Sequence, residues 1–174
     1  MEFSEVIKKR GSFRGPFTGE KISRRELQNI VEAGIAAPSG CNAQTTSFVI
    51  VDDEPLVRQI AAITGKDYIS QAGAVIVVVT DQTPAYGSMS FYKEDAAAAT
   101  ENILLAIANG GWASVWLDGI LRVGGIAEKI AALLAVPKGK NVQIVLPVGR
   151  PKETVTQREK LPFEKRAWFN RYGG

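Results

Sequence analysis

The sequence predicts a single layered α/β/α domain, on three observations. Helical and strand-like patterns alternate along 174 residues with no linker and no internal repeat. Residues 74–79 (Ala-Val-Ile-Val-Val-Val) form an apolar run without polar alternation, as a strand covered on both faces requires. Residues 92–109 make a long alanine-rich helical stretch, stopped by Gly110-Gly111, whose small residues let a neighbouring element approach closely.

Each element has its own signal. Phe3, Val6 and Ile7 share one face of a short opening helix that ends near Gly11. In the next helix Ser23 and Glu26 make a capping box, Ile22 and Leu27 sit at staple positions, and Leu27, Ile30, Val31 and Ile35 form the buried stripe. Pro38 ends it, and a polar loop over 39–46 feeds a strand over 47–51. Asp53-Glu54-Pro55 opens a helix that Gly65 closes, with Leu56, Ile60 and Ile63 turned inward. After the run at 74–79 comes a loop over 81–90 rich in Thr, Pro, Gly and Ser. Strands are expected at 112–117 and 142–148, with a helix over about 126–134 between them. From Arg150 onward, Pro151, Pro162, Phe163, Trp168, Phe169 and Tyr172 make a segment too apolar to hang free and too broken for a core element. The expected organisation is one domain over 1–174, with 150–174 as a C-terminal arm lying across a surface.

Composition narrows the function. At 45% hydrophobic the chain can build a core, and its longest apolar stretch, 72–79, is far shorter than the roughly 20 residues of a spanning helix. The opening residues carry no apolar signal core and Cys41 is the only cysteine, so the expectation is a soluble protein of a reducing cytoplasm, without an internal disulfide. The net charge is +3 and the pI about 9.0, with basic residues gathered at the two ends of the chain. Those ends either converge on one anionic site or are two solvated segments.

There is no histidine. That removes the commonest metal ligand and the commonest side-chain acid or base near neutral pH, and with them zinc chemistry, a Ser-His-Asp triad and a Cys-His pair. A catalytic side chain and a metal site are therefore not expected, and difficult chemistry would fall to a borrowed cofactor. The motifs G-x-G-x-x-G, G-x-x-x-x-G-K-[ST] and G-x-S-x-G are absent.

Two segments remain as candidates. Arg10-Gly11-Ser12-Phe13-Arg14 sets two guanidinium groups and a hydroxyl on a tight turn, the donor set a phosphate monoester wants, although a helix C-terminus also attracts Arg for dipole reasons. Pro38-Ser39-Gly40-Cys41-Asn42-Ala43-Gln44 presents small polar groups suited to the edge of a planar polar ring, or makes an ordinary turn. Cys41 reads as a small filler rather than a nucleophile, because no histidine exists to activate it.

Taken with their order and spacing, these segments resemble the nitroreductase family of flavoproteins. The likeness runs through Arg-x-Ser-x-Arg, Ala-Pro-Ser-x-x-Asn-x-Gln, the alanine-rich helix leading to residues 110–119 (Gly-Gly-Trp-Ala-Ser-Val-Trp-Leu-Asp-Gly), and Val148-Gly149-Arg150-Pro151-Lys152. The resemblance implies an α+β fold, a three-layer α/β/α sandwich with a mixed central sheet. It implies FMN as cofactor, with Arg10, Gly11, Ser12 and Arg14 at the phosphate and ribityl chain and Arg158 and Lys160 completing the phosphate site. Pro38, Ser39, Asn42 and Gln44 would line the flavin, and Trp116, Leu117, Asp118 and Gly119 would run past its ring.

It also implies a homodimer with FMN at the subunit interface, working by ping-pong hydride transfer from NAD(P)H to a small electron-poor acceptor such as a nitroaromatic or quinone. Other flavin chemistry on the same fold (dehalogenation, flavin fragmentation or storage) and a basic nucleic-acid-binding module are the alternatives; a nucleic-acid or membrane partner is not expected. The chain departs from the family at Thr45-Thr46, where Pro-Trp is common, and its short 81–90 loop leaves an open substrate pocket, with Tyr86, Phe91 and Tyr92 as candidates for its wall.

Overall fold

The computed structural model describes residues 1–173. In chain order it holds helices α1 (Phe3–Lys9) and α2 (Arg24–Ile35), strand β1 (Thr46–Val51), helix α3 (Glu54–Thr64), strand β2 (Ala74–Asp81), helix α4 (Tyr92–Asn109), strand β3 (Ala113–Ser114), helix α5 (Ile126–Leu133) and strand β4 (Lys140–Gly149). The strands form one sheet in the order β1-β2-β4-β3.

Layering follows from the alternation of side chains along β2. Ala74, Ile76 and Val78 face a core built with Leu27, Ile30 and Val31 of α2 and Ala96, Ile103 and Ile107 of α4. Val75, Val77 and Val79 face the opposite core, with Val57 and Ile60 of α3 and Ile130 of α5. Both faces of β2 are thus covered, which is why its sequence shows no alternation.

The sheet differs from the mixed one expected: its named strands all pair antiparallel, Ile76 opposite Ile50 on one side and Leu146 on the other. Parallel pairing among the described residues is confined to a single bridge between Ser12 and Ser114. An uninterrupted apolar strand does not itself require parallel neighbours; cover on both faces suffices.

Other expectations shift at the edges. The strand foreseen at 112–117 pairs only over Ala113–Ser114 and again at a bridge from Leu117 to Val145. In α1 only Val6 is buried, while Phe3 and Ile7 are exposed. Ile35, placed in the buried stripe, is 65% exposed, and Gly34 takes the inward position. The reason is proximity to α4: a Cβ on Gly34 would lie 2.7 Å from atoms of Ile103. In α3 the buried face is carried by Val57, Ile60 and Ala61, leaving Leu56 and Ile63 half-buried. The capping box of Ser23 and Glu26 and the left-handed Gly65 that closes α3 are both present.

Phe13 and Phe17 form a third, smaller core with Ala113, flanked by Tyr68, Ala72 and Val155. It ties the segment after α1 to β3, where the Phe13 N–H donates to the Ser114 carbonyl at 2.8 Å. The arm from Arg150 begins against this segment: Pro151 bridges to Phe17, and the Lys152 N–H donates to the Pro16 carbonyl. Over its described residues it is irregular apart from one short 3-10 turn at Phe163–Lys165, and Phe163, Phe169 and Tyr172 are exposed. No helix among the described residues is long and apolar enough to cross a membrane.

Candidate functional site

α1 ends at Arg10, which leaves the helical conformation while its N–H still bonds the Val6 carbonyl. The next residues turn along β3, and the arm returns to cover them. Gln157 fixes that return by donating from its side-chain amide to the carbonyls of Ile7, at 3.0 Å, and Arg10, at 2.9 Å. Gly11 permits it, because a Cβ there would lie 2.8 Å from the Thr156 carbonyl oxygen.

Between turn and arm lies a cleft of about 580 Å³ lined by Arg10, Gly11, Ser12, Arg14, Thr156, Gln157, Arg158 and Lys160. The two ends of the chain therefore meet, and they do so within one chain. Arg10 is paired through Nε with Glu101 of α4 at 3.2 Å. Arg14, Arg158 and Lys160 join no ion pair among the described residues. Four side-chain cations, of which only Arg10 has a carboxylate beside it among the described residues, repel one another, and a phosphate monoester of about −1.5 to −2 charge relieves that repulsion. Burial pushes the Tyr68 phenol above its ordinary pKa, against the opposing pull of the Arg14 charge. Not every basic residue of the chain's ends belongs here: Arg24 pairs with Asp52 at 2.6 Å, and Arg150 pairs with Glu20 at 3.2 Å while its guanidinium carbon sits 3.9 Å from the centre of the Trp112 ring.

The second candidate segment stands apart. Pro38, Ser39 and Gln44 line a small cavity with Thr46, Phe48 and Asp95, and none of these residues lines the cationic cleft. Asn42, beside them in the same loop, has a left-handed backbone with φ 54°. Trp116 and Leu117 follow β3, Trp116 packed against the α2–α4 core and Leu117 buried in the opposite one. Asp118 pairs with Arg122 at 2.7 Å, and Gly119 starts a 3-10 turn. These four do not line the cleft, although β3 meets Ser12 two residues before Trp116. Among the suggested wall residues, Tyr86 is exposed in a tight turn closed on Met89, and Phe91 is committed to packing on Gly40, where a Cβ would collide with its ring. Tyr92 opens α4.

Sequence reasoning missed Thr156, Gln157 and Asp95. Asp95 is buried and accepts hydrogen bonds from the Gly40 N–H at 2.8 Å and the Thr45 hydroxyl at 2.5 Å. The signal that hid it is ordinary: an acid in a helix's first turn is expected on dipole grounds alone. Nothing in the local sequence marks Gln157.

Fold and cleft together define an α+β sandwich whose cationic site is made from both ends of its chain. The family model described as the nitroreductase family matches residues 7–70 and 63–150, and the chain belongs to that family. A relative in Archaeoglobus fulgidus, provisionally named NADH dehydrogenase/NAD(P)H nitroreductase, is 32% identical over 87% of this chain and 87% of its own. A solved structure from Bacteroides thetaiotaomicron under the same provisional name superposes with a TM-score of 0.86 at 25% identity, covering 99% of both chains. An NADPH:FMN oxidoreductase from Vibrio harveyi, solved with NAD+, shares the fold with a TM-score of 0.83 at 24% identity, covering 99% of this chain and 78% of its own.

Proposed function

We propose that the chain is an FMN-dependent NAD(P)H oxidoreductase that passes electrons to small electron-poor acceptors such as nitroaromatics or quinones by a ping-pong route. The observation that carries this reading is the cleft in which Arg14, Arg158 and Lys160, without acidic partners among the described residues, stand beside Arg10 and the Ser12 hydroxyl. Its donors fit a ribityl phosphate: guanidinium forks, an ammonium and a hydroxyl, with Gly11 giving the arm close approach. The relatives' names point the same way, to NAD(P)H and FMN.

When bound, FMN would supply the two-electron hydride chemistry that amino-acid side chains do not. Arg10, Ser12, Arg14, Arg158 and Lys160 would hold its phosphate end. Pro38, Ser39, Asn42 and Gln44 would meet the ring, together with the segment Trp116, Leu117, Asp118 and Gly119. The cleft and the loop cavity are lined by different residues of one chain, which fits a homodimer that apposes the cleft of one copy to the loop of the other to make the complete site. The turn at Tyr86 to Met89 is short, which leaves the acceptor's approach open and specificity broad.

The test is a titration of the purified protein with FMN and with riboflavin, followed by NADH or NADPH oxidation with menadione as acceptor. Expected are a yellow protein, a preference for FMN over riboflavin of at least about a hundredfold, and turnover with menadione. A protein that stays colourless with added FMN overturns the reading.

A further inference from the structure

The loop over residues 39–45 is held in a conformation its residues do not favour. Cys41, Asn42 and Gln44 have φ of 52°, 54° and 50°, left-handed backbone that Asn tolerates but that costs Cys41 and Gln44 about 1–2 kcal/mol each. Such strain persists only where the surroundings over-determine it. Within the loop the Ser39 hydroxyl accepts the Gln44 N–H at 3.0 Å, and the Asn42 N–H bonds the Ser39 carbonyl. From outside, one side chain grips both ends: Asp95 Oδ1 accepts the Gly40 N–H at 2.8 Å, and Oδ2 accepts the Thr45 hydroxyl at 2.5 Å. Asp95 is 5% exposed, so these bonds are not traded for water at little cost. It projects from the first turn of α4, whose core-facing residues fix its place, and Phe91 one turn earlier fills the space left by the missing Cβ of Gly40.

We infer that Asp95, through Thr45 and Gly40, is a positioning residue that presets the 39–45 loop to receive the flavin ring; this rests on the flavin reading above. A carboxylate does this better than an amide because both of its oxygens accept, and the loop offers a donor at each end. The loop is set before the ligand arrives, so its ordering is not charged against binding. The grip acts on the ring and not on the phosphate, since Asp95 and Thr45 lie outside the cationic cleft.

The experiment compares FMN and riboflavin affinities of the dimeric full chain with those of Thr45→Val and Thr45→Ser. Thr45→Val keeps the shape and removes the donor; it should raise Kd for both ligands about tenfold in parallel, with a shifted visible band of the bound flavin, while leaving the FMN-to-riboflavin ratio unchanged. Thr45→Ser, which restores the hydroxyl, should return both constants to within about threefold of the parent. If Thr45→Val fails to fold, Thr45→Ala carries the same comparison, since its smaller side chain leaves room for a water on Oδ2. Unchanged constants overturn the inference, and so does a loss confined to FMN. A parent protein that binds neither ligand removes the flavin reading itself.

Discussion

The side-chain amide of Gln157 donates to the carbonyl of Arg10 at 2.9 Å, so a residue of the C-terminal arm closes the C-terminus of the first helix. Carbonyls there have no partner within the helix, and Gln157 satisfies two of them at once. Arg158 and Lys160 owe their place over the cleft to this pin.

Gln157→Ala should release the arm without disturbing the sandwich. Two hydrogen bonds worth about 0.5–1.5 kcal/mol each would be lost, which predicts a Kd for FMN raised by roughly 5- to 150-fold with the global Tm nearly constant. Faster proteolysis within 152–165, read by mass spectrometry, would accompany it. An unchanged Kd would show that the arm takes no part in holding the ligand.

Gly34→Ala sets two effects against each other. Alanine inside a helix normally gains about 0.5–1 kcal/mol over glycine. Here its Cβ would press on fully buried Ile103 and approach the Ala99 carbonyl at 3.2 Å, and overpacking of that kind costs about 1–3 kcal/mol. The clash wins, so urea denaturation should show net destabilisation.

Acid should weaken the protein through Asp52. The hydrogen bond from Arg24 holds the Asp52 carboxyl below its ordinary pKa, so its contribution is full above the usual carboxylate range, near pH 4, and is lost as pH falls through the lowered value. Asp52→Asn should be less stable than the parent at neutral pH and equal to it in strong acid. Chemical denaturation at both ends of that range measures the difference, and a gap that persists in acid would rule the ion pair out as its source.

Arg150→Lys should lower stability by about 1 kcal/mol, because lysine cannot both stack on Trp112 and reach Glu20 and the Gly111 carbonyl. FMN affinity should stay within about twofold, since Arg150 is no part of the cleft. Parallel melting and fluorescence titrations separate these outcomes.

The fold was legible wherever one local cause dominated. The capping box at Ser23, the left-handed stop at Gly65 and the unbroken apolar run of β2 each declare their element. Pairing direction was not legible, because the run at 74–79 records burial on two faces and says nothing of its neighbours' orientation. Ile35 was misplaced for a related reason: periodicity allowed either Gly34 or Ile35 inward, and contact with Ile103 decided it. In the candidate site, Arg10, Arg14, Arg158 and Lys160 were readable as charges and Ser12 as a hydroxyl donor, and all five share one cleft. Gln157 and Asp95 were not, since each acts on groups far away in sequence.

The single parallel bridge between Ser12 and Ser114 has an effect on how molecules meet. β3 is the sheet's outer strand on that side, and Phe13 already occupies its Ser114 carbonyl. A foreign strand must first peel away the chain's opening segment, with Phe17 and its neighbours, before it finds a free rim. Lateral growth of the sheet into fibrils or swapped oligomers is thereby directed to the opposite border, Thr46–Val51, where Ile50 is already partly open to solvent. A lysine introduced at Ile50 is the single change that guards that border.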